Sequence, residues 1–200
     1  MISKIYFTSF IKKDMKTNNI SFGAKFISAP TIQKYDKNLK SFQNKKVSFV
    51  QFEPENRSDK LAIKMANNKW GRYFITQSIY LCADMLSRKE CSKEVNKIFI
   101  LTEQTDNFKK LLASKILALA QTKEEKGKPV ELMWLQTQPQ IKYNNTENRE
   151  IKHAGKAIID SLKELTNELV LGSTTNSKNF YSKQGFELID KINLKYHWKK

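Results

Sequence analysis

Two segments in the C-terminal third of the chain have residue types and spacing that suit chemistry. The first, residues 152–157, reads KHAGKA and opens a stretch with helical periodicity. The first amides of a helix have no partner within the helix, and the positive end of its dipole adds to their attraction for phosphate oxygens. Gly155 permits close approach of the backbone, while Lys152 and Lys156 add positive charge. The same residues also fit an ordinary amphipathic helix start.

The second segment, residues 179–186, reads NFYSKQGF and places Tyr181 in a short predicted helix. A tyrosine hydroxyl can donate a proton or a hydrogen bond to a reacting group. A tyrosine in such a position can equally serve as an aromatic anchor of the core. Both interpretations of Tyr181 remain open from the residues alone.

Apolar periodicity predicts the elements that position these two segments. The predicted strands cover residues 46–52, 95–102, 115–121, 130–137 and 169–171, with a terminal strand segment at 186–198. The predicted helices cover residues 57–68, 73–88, 149–165 and 176–183. Short connections favour an antiparallel meander, and a helix between two apolar strands favours one parallel crossover. The fold class is therefore α/β (α+β), with a mixed, mostly antiparallel central sheet of about six to seven strands and helices on both faces.

One element of this prediction has an alternative. Residues 115–121, KILALAQ, also fit a helix that continues from Asn107, because Phe108, Leu112 and Ile116 recur at helical spacing. Aromatic residues of the second helical pattern have two interpretations as well. Trp70, Tyr73, Phe74 and Tyr80 could line a substrate pocket or belong to the core.

The chain is strongly basic, with 36 Lys and Arg against 20 Asp and Glu and a net charge of +16 over 200 residues. Such a surplus favours polyanions in general, whether nucleic acid or a nucleotide cofactor. Only four arginines occur, and arginine dominates bidentate recognition of bases, which disfavours a sequence-specific DNA-binding protein. A solvated lysine-rich surface explains the same charge.

Residues 1–45 carry nine Lys and two Asp without a sustained apolar period. They are predicted to form a basic, partly disordered N-terminal extension with one short strand at residues 20–27, and residues 46–200 to form the folded domain. The extension is either a polyanion-binding arm or a loosely docked tail.

The cysteines and the N-terminal residues indicate the expected compartment. Cys82 and Cys91 fit no metal-binding or disulfide pattern, so neither a metal site nor a disulfide framework is predicted. The N-terminal residues have no continuous apolar core and no clear cleavage site, and no run reaches the roughly 20 apolar residues of a membrane span. A cytoplasmic protein without membrane contact is therefore expected.

Both chemical segments resemble motifs of one family. Residues 152–157 resemble the pyrophosphate motif Q/R-x-x-G-x-G/A of the GNAT superfamily of N-acetyltransferases, with Lys152 in the first position and Gly155 and Ala157 matching. Residues 179–186 resemble the family's FYxxxGF element, and the two motifs follow in the family's order. The resemblance covers residues 46–198 and implies the acyl-CoA N-acyltransferase fold.

The resemblance implies transfer of an acetyl or other acyl group from acetyl-CoA to a primary amine, by direct attack in a ternary complex. In the family the pantetheine arm lies between two splayed parallel strands, here residues 132–137 and 169–171. Thr174 stands where many members have a cofactor-contacting asparagine, which Asn176 or Asn179 would replace. The implied cofactor contacts are Leu135, Gln136, Thr137, Lys152, His153, Ala154, Gly155, Lys156, Ala157, Asn176 and Asn179.

The resemblance also implies that Tyr181 protonates the departing thiolate of CoA. The general base is not evident from the sequence. Glu131 and Glu103, both near predicted strand ends, are the candidates, although each also fits a solvated surface acid. His153 stands where the family often has glycine, so it is interpreted as a cofactor contact or an exposed helix residue.

Two other classes of function also fit the sequence: a basic nucleic-acid-binding module, and a GNAT fold that has lost catalysis and serves in interactions. The expected partners are acetyl-CoA and an unidentified amine acceptor, with nucleic acid or another polyanion as a further candidate for the basic surface. The chain is expected to be a monomer or a homodimer.

Overall fold

The computed structural model describes residues 23–139 and 150–200. The strands, in chain order, are β1 (Lys25–Ser28), β2 (Thr31–Asp36), β3 (Ser41–Lys46), β4 (Ser48–Gln51), β5 (Asn96–Thr102), β6 (Ile116–Lys123), β7 (Val130–Thr137), β8 (Ile151–Lys152), β9 (Glu168–Gly172), β10 (Glu187–Asp190) and β11 (Lys195–Lys199). The helices are α1 (Arg57–Lys69), α2 (Phe74–Ser87), α3 (Ala154–Leu165) and α4 (Lys178–Lys183).

One 8-stranded sheet, in the order β1-β4-β5-β6-β7-β9-β11-β10, organises the molecule. All neighbouring strands in it are antiparallel except β7 and β9, which are parallel. The mixed, mostly antiparallel sheet predicted from the sequence is confirmed, with eight strands rather than six to seven.

Helices pack on both faces of this sheet, as predicted. The apolar residues of α3 recur at every fourth position, and Ile158 and Leu162 lie in one buried core with Leu101 of β5. The opposite face has a second core, in which Ile63 of α1 and Ile79 of α2 are buried. The sheet thus has a core on each face. In the described residues, α3 and the short helix α4 cover one core, and α1 and α2 cover the other.

Residues 116–123 form a strand, so the alternative of a helix continuing from Asn107 is wrong. Seven of the eight residues of β6 are buried, because β6 lies in the middle of the sheet with a core on each face. A strand covered on both faces has a continuous apolar sequence, which local periodicity cannot distinguish from a helix. Asn107 itself has a left-handed φ of 47°, which ends any regular helix there.

The described part of the predicted extension belongs to the fold. β1 pairs with β4 at the edge of the main sheet, and β2 lies between β3 and β8 in a second, 3-stranded sheet. Ile32 of β2 is only 1% exposed and lies in the core beneath α3. The division predicted at residue 45 therefore differs from the structure over residues 23–45, while residues 1–22 lie outside the described residues. β2 has one buried residue and β3 has none, so these strands leave little apolar period in the sequence.

Two C-terminal elements differ from their predicted bounds. The helix predicted from residue 149 begins at Ala154, because Ile151 and Lys152 pair with β2 instead. The terminal segment contains two strands joined by a turn, in which the carboxylate of Asp190 accepts hydrogen bonds from the amides of Ile192 and Asn193. Within residues 23–139 and 150–200, no helix is long and apolar enough to cross a membrane.

Candidate functional site

β7 and β9 run side by side for a short distance and then separate. Their parallel pairing begins with Val130 opposite Leu169 and ends with Leu132 opposite Leu171. β7 nevertheless continues to Thr137, so its last five residues have no strand on that side. We call the space beyond this last pair the β7–β9 gap.

A bulge in β7 lies at the level where the gap opens. Thr122 of β6 pairs with Leu132, and the preceding Gln121 pairs with Trp134, so Met133 has no direct partner on β6. A bulge bends its strand and increases the local twist, which accounts for the departure of β7 from β9.

The free edge of β7 presents backbone groups to the gap. The amide of Gln138 donates to the carbonyl of Leu117 at 2.8 Å, which places Gln138 among the residues bonded to β6. Bonded residues alternate along an antiparallel strand, so Leu135 and Thr137 direct their amides and carbonyls away from β6. The side-chain amide of Gln136 donates to the carbonyl of Thr137 at 2.6 Å and occupies one of these acceptors.

The start of α3 contacts both the end of β7 and α4. A Cβ atom placed on Gly155 would lie 3.3 Å from Cζ of Phe180 and 3.6 Å from Cγ2 of Thr137. The first distance is tighter than most contacts of a Cβ atom, so a side chain here would displace the ring of Phe180, and glycine lets the three elements approach closely. The two segments that the sequence singled out therefore converge with the free edge of β7.

The first amides of α3 are oriented for an anion. The first hydrogen bond of the helix runs from the amide of Ala157 to the carbonyl of His153 at 2.8 Å. The amides of Ala154, Gly155 and Lys156 precede this bond, and the first turn contains no acidic residue. Free amides at the positive end of a helix dipole can hold a phosphate or pyrophosphate group.

Comparison with solved structures identifies the fold. Neither a protein-family model nor a curated protein matches the sequence. Among solved structures, a protein from Desulfovibrio desulfuricans described as an acetyltransferase of the GNAT family aligns with a TM-score of 0.51, over 76% of this chain and 98% of that chain. The chain has the GNAT acetyltransferase fold. Because the aligned residues are 13% identical, the likeness concerns the fold and not the activity.

Two further acetyltransferases with solved structures also align. The protein from Thermus thermophilus is 12% identical, with a TM-score of 0.49, over 77% of this chain and 97% of that chain. The protein from Streptococcus agalactiae is 14% identical, with a TM-score of 0.48, over 77% of this chain and 98% of that chain.

Two lysines that flank the start of α3 have other contacts in the structure. The ammonium of Lys152 lies 3.7 Å from the ring centroid of Phe42 on β3. The ammonium of Lys156 pairs with Asp160, one turn further along α3, at 2.5 Å. Both pairs are partly exposed, so each contributes about 1 kcal/mol or less and can give way to a phosphate. The predicted cofactor roles of Lys152 and Lys156 stay predictions.

His153 has an unusual backbone conformation. It is exposed and precedes α3 with a left-handed φ of 69° and ψ of 9°. A residue with a Cβ atom in this region costs about 1 kcal/mol, whereas glycine, the residue often found here in the family, adopts it freely. No side-chain hydrogen bond from His153 caps the helix. The strain is therefore local and has no compensating cap.

Tyr181 is buried beside the gap. Its ring packs against Phe180, Phe186 and Tyr196, with centroids 5.1, 5.9 and 6.2 Å away. Tyr196 pairs with Leu171, the last residue of β9 that also pairs with β7. Burial raises the pKa of Tyr181 to about 12, so its hydroxyl keeps its proton at neutral pH. Tyr181 thus combines an aromatic anchor with a protonated hydroxyl, and the structure is compatible with both sequence interpretations.

The asparagines predicted near the cofactor are both exposed. Asn176 lies in the turn before α4, and Asn179 lies in the first turn of that helix. The turn is held by a hydrogen bond between the hydroxyls of Thr174 and Ser177 at 2.9 Å. A cofactor contact by either asparagine stays a prediction.

Glu103 is held in an ion-paired cluster. Its carboxylate accepts hydrogen bonds from Lys34 of β2 and Lys45 of β3, both at 2.8 Å, and its side chain is only 13% exposed. Burial acts to raise the pKa of Glu103, but the two lysines outweigh it and the pKa is lowered. A carboxylate neutralised in this way is a poor proton acceptor. Its position instead indicates a structural role, tying the second sheet to the end of β5.

Glu131 lies closer to the gap. It is the residue before Leu132, at which the pairing with β9 ends, and it pairs with Lys123 of β6 and Val170 of β9. Side chains alternate along a strand, and Leu132 packs into the core beneath α3, so Glu131 points to the α2 face. Its role as a base stays a prediction.

A histidine that the sequence did not single out lies on the same row of the sheet. His197 of β11 pairs with Val170, which in turn pairs with Glu131. Its ring nitrogen Nε2 lies 3.5 Å from a carboxylate oxygen of Glu168. The sequence signal for His197 was its place between two aromatic residues, Tyr196 and Trp198. Because side chains alternate along a strand, His197 faces away from the side on which these two aromatics lie.

Of the aromatics proposed from the sequence to line a pocket, Trp70 is only 3% exposed and belongs to the core, and Tyr80 packs against that core. Phe74 is 72% exposed and meets the ring of Trp134, next to the bulge, edge-on at 5.2 Å. Phe74 therefore borders the gap on the α2 face. Tyr73, 46% exposed, precedes it at the start of α2.

Proposed function

We propose that this chain is an N-acyltransferase that transfers an acetyl or related acyl group from acyl-CoA directly to a primary amine. The observation that carries the proposal is the convergence at Gly155 of the free edge of β7, the first amides of α3, and α4. A CoA thioester has amide groups, a pyrophosphate and a thiolate leaving group. The free edge of β7 suits the amide groups, the first amides of α3 suit the pyrophosphate, and α4 with Tyr181 suits the thiolate.

The donor would be held mainly by backbone groups. The amides of the pantetheine arm can pair with Leu135 and Thr137 at the free edge of β7, as an added strand pairs with a sheet edge. The pyrophosphate would lie on the amides of Ala154, Gly155 and Lys156. Lysine side chains nearby add an attraction that depends on salt concentration.

The reaction would be a direct displacement at the thioester carbonyl. A neutral amine attacks the carbonyl carbon, the backbone amide of Leu135, which faces the gap, polarises its oxygen, and the C–S bond breaks as the C–N bond forms. Burial raises the pKa of Tyr181 to about 12, so its hydroxyl keeps its proton and can donate a hydrogen bond. It therefore stabilises the departing thiolate by hydrogen bonding and relays a proton that the amine supplies.

Exposed apolar residues on the α2 face indicate where the acceptor would bind. Phe74 and Met133 are 72% and 36% exposed; Phe74 contacts the ring of Trp134, and Met133 precedes Trp134 in the bulge of β7. An amine attached to an apolar or aromatic group would find contacts here, with its nitrogen toward the gap.

Titration calorimetry with acetyl-CoA tests the donor site. Binding is expected for the unmodified chain and is expected to fall at least tenfold in Gly155→Glu, which puts a carboxylate at the phosphate position. Gly127→Glu makes the same chemical change in the turn between β6 and β7, where a Cβ atom has no neighbour within 4 Å although φ is 77°; it serves as the control for added charge, with folding of both variants checked by circular dichroism. Absence of binding, or equal binding by Gly155→Glu, would contradict the proposal.

A further inference from the structure

We propose that a cavity beneath the C-terminal half of α3 binds a small monocarboxylic acid with an apolar chain. The cavity has a volume of about 380 Å³, within the range of about 300–1,000 Å³ that is typical of small-molecule sites. It lies between the main sheet and the last turns of α3. The inference does not depend on the proposed acyl transfer, because it concerns a different part of the molecule.

The cavity and the proposed donor site lie at opposite ends of α3. Leu162 and Leu165 line the cavity together with Leu169 at the start of β9, whereas the phosphates of the donor would lie at Ala154. α3 has 12 residues, and a helix rises about 1.5 Å per residue, so about 16 Å separate its two ends. A ligand in the cavity would therefore not occupy the position of the pyrophosphate.

Strand register turns a set of polar side chains toward the cavity. Phe99 of β5 packs into the core beneath α3, and Gln51 of β4 pairs with it. Gln51 pairs in turn with Lys25 of β1. Lys97, two residues before Phe99, pairs with Thr122 of β6. Residues that pair directly, or that are two apart on a strand, share a face of the sheet, so all of these side chains face α3.

Thr122 contributes a buried hydroxyl without a partner. Its side chain is 0% exposed and lines the cavity, and its Oγ1 has no hydrogen-bond partner among the described residues. Thr102 on β5 is equally buried, but its hydroxyl donates to the carbonyl of Lys115 at 3.2 Å. A buried hydroxyl without a partner lowers stability, so an oxygen atom of a ligand that accepts its proton would be bound favourably.

The charged groups of the cavity favour an anion. They are Lys25, Lys97 and Glu124, which together carry one positive charge in excess. The ammonium of Lys97 pairs with Glu124 at 2.5 Å and has further protons to donate. Because Lys97 and Thr122 lie directly opposite each other on neighbouring strands, the ammonium and the hydroxyl can each donate to one oxygen of the same carboxylate.

The rest of the cavity suits an aliphatic chain. Ile27 of β1, Val130 of β7 and the leucines of α3 contribute apolar groups. Leu165, in the last turn of α3, is 49% exposed, so a chain lying against it would remove apolar surface from water. These groups surround an apolar chain, and the polar groups at Thr122 and Lys97 give it one end for a carboxylate.

Calorimetry with octanoate tests the site in the full chain. We expect one octanoate to bind per chain, with an affinity that falls as sodium chloride is added, because the head group is charged. Octanol and octylamine have the same chain with a neutral and a positive head group. Each is expected to bind at least tenfold more weakly than octanoate.

Two variants locate the carboxylate. Thr122→Val removes the hydroxyl and is expected to lower octanoate affinity about tenfold, while raising the urea midpoint of the unliganded chain. Thr102→Val is the matched control, expected to keep octanoate affinity and to lower the urea midpoint, because it loses a hydrogen bond. Lys97→Gln is expected to lower octanoate affinity about fivefold. Its control is Lys123→Gln, which changes a lysine on the opposite face of β6.

Other outcomes overturn the inference in distinguishable ways. If octanoate does not bind, or binds equally well to Thr122→Val and Lys97→Gln, the cavity is not a carboxylate site. Tighter binding of octylamine than of octanoate would contradict the assigned charge. Displacement of octanoate by acetyl-CoA would assign octanoate to the donor site. If octanoate binds as expected and acetyl-CoA does not bind, the proposed function fails and this inference stands.

Discussion

Gly155 at the start of α3 and Phe180 of α4 approach so closely that a Cβ atom on the glycine would lie 3.3 Å from Cζ of the phenylalanine. This contact joins the two segments in which the sequence indicated chemistry. It also links the start of α3 to the buried ring of Tyr181, because Phe180 packs against that ring.

Enlarging Gly155 should destabilise the chain through this contact. Gly155→Val is expected to lower the free energy of unfolding by about 1–3 kcal/mol, since overpacking forces neighbours to move. Combined with Phe180→Ala, which removes the ring, the loss should be smaller than the sum of the two single changes, by about 0.5–3 kcal/mol. Urea denaturation of the four proteins measures this coupling, and strictly additive effects would show that the two residues are not in contact.

Relief of the strain at His153 should stabilise the chain. His153→Gly is expected to raise the free energy of unfolding by about 0.5 kcal/mol, because relief of the left-handed conformation exceeds the entropy that glycine adds to the unfolded state. His153→Ala keeps a Cβ atom and is the matched control without this gain. A loss of stability in His153→Gly relative to His153→Ala, measured by denaturation, would indicate that the imidazole makes stabilising contacts.

The cluster around Glu103 should make stability depend on pH. The pKa of Glu103 is lowered in the folded chain, so its carboxylate stabilises the fold above its ordinary pKa near 4.5, and this contribution is lost as the pH falls through the lowered value. Glu103→Gln is therefore expected to destabilise the chain by about 1–3 kcal/mol at pH 7 and by much less at pH 3. Urea denaturation at the two pH values checks this. An equal loss at both would contradict an ionic role.

Removing the hydroxyl of Tyr181 should affect turnover rather than donor binding. Tyr181→Phe keeps the ring packed against Phe186 and Tyr196, so stability and acetyl-CoA affinity are expected to change little. We expect kcat for thiol release to fall about 10- to 100-fold with phenethylamine, lysine methyl ester or spermidine, whichever is fastest. Since the pKa of Tyr181 is about 12, its ionisation should produce no alkaline limb below about pH 11 in the unmodified chain. An unchanged kcat would assign Tyr181 to packing alone.

Local patterns explain why much of the fold could be predicted. α1, α2, β5 and β7 lie within one or two residues of their predicted bounds, because helical and alternating apolar periods depend only on which faces are buried. The bounds were wrong where a distant partner intervenes. The predicted helix from residue 149 begins later, since Ile151 and Lys152 pair with Lys34 and Gln33 of β2.

The candidate site shows the same contrast. The glycine, the lysines and Tyr181 were indicated by residue type and spacing, because the anion-binding start of a helix and its neighbouring aromatic are short contiguous segments. Glu103 was a reasonable candidate near a strand end, yet Lys34 and Lys45 reach it from 69 and 58 residues earlier in the chain. His197 had no motif, and its place opposite Val170 depends on the pairing of β11 with β9.

The sequence by itself determined the periodic elements, the glycine-containing start of α3 and the aromatic segment of α4, because each depends on interactions among residues near one another in the chain. Only the tertiary structure decided that β7 leaves β9 after Leu132, that β2 and β3 join the fold, and that His197 faces the side of Glu131. These features depend on strand register, a relation between distant segments. A shift of one residue would turn every side chain of β11 to the other face.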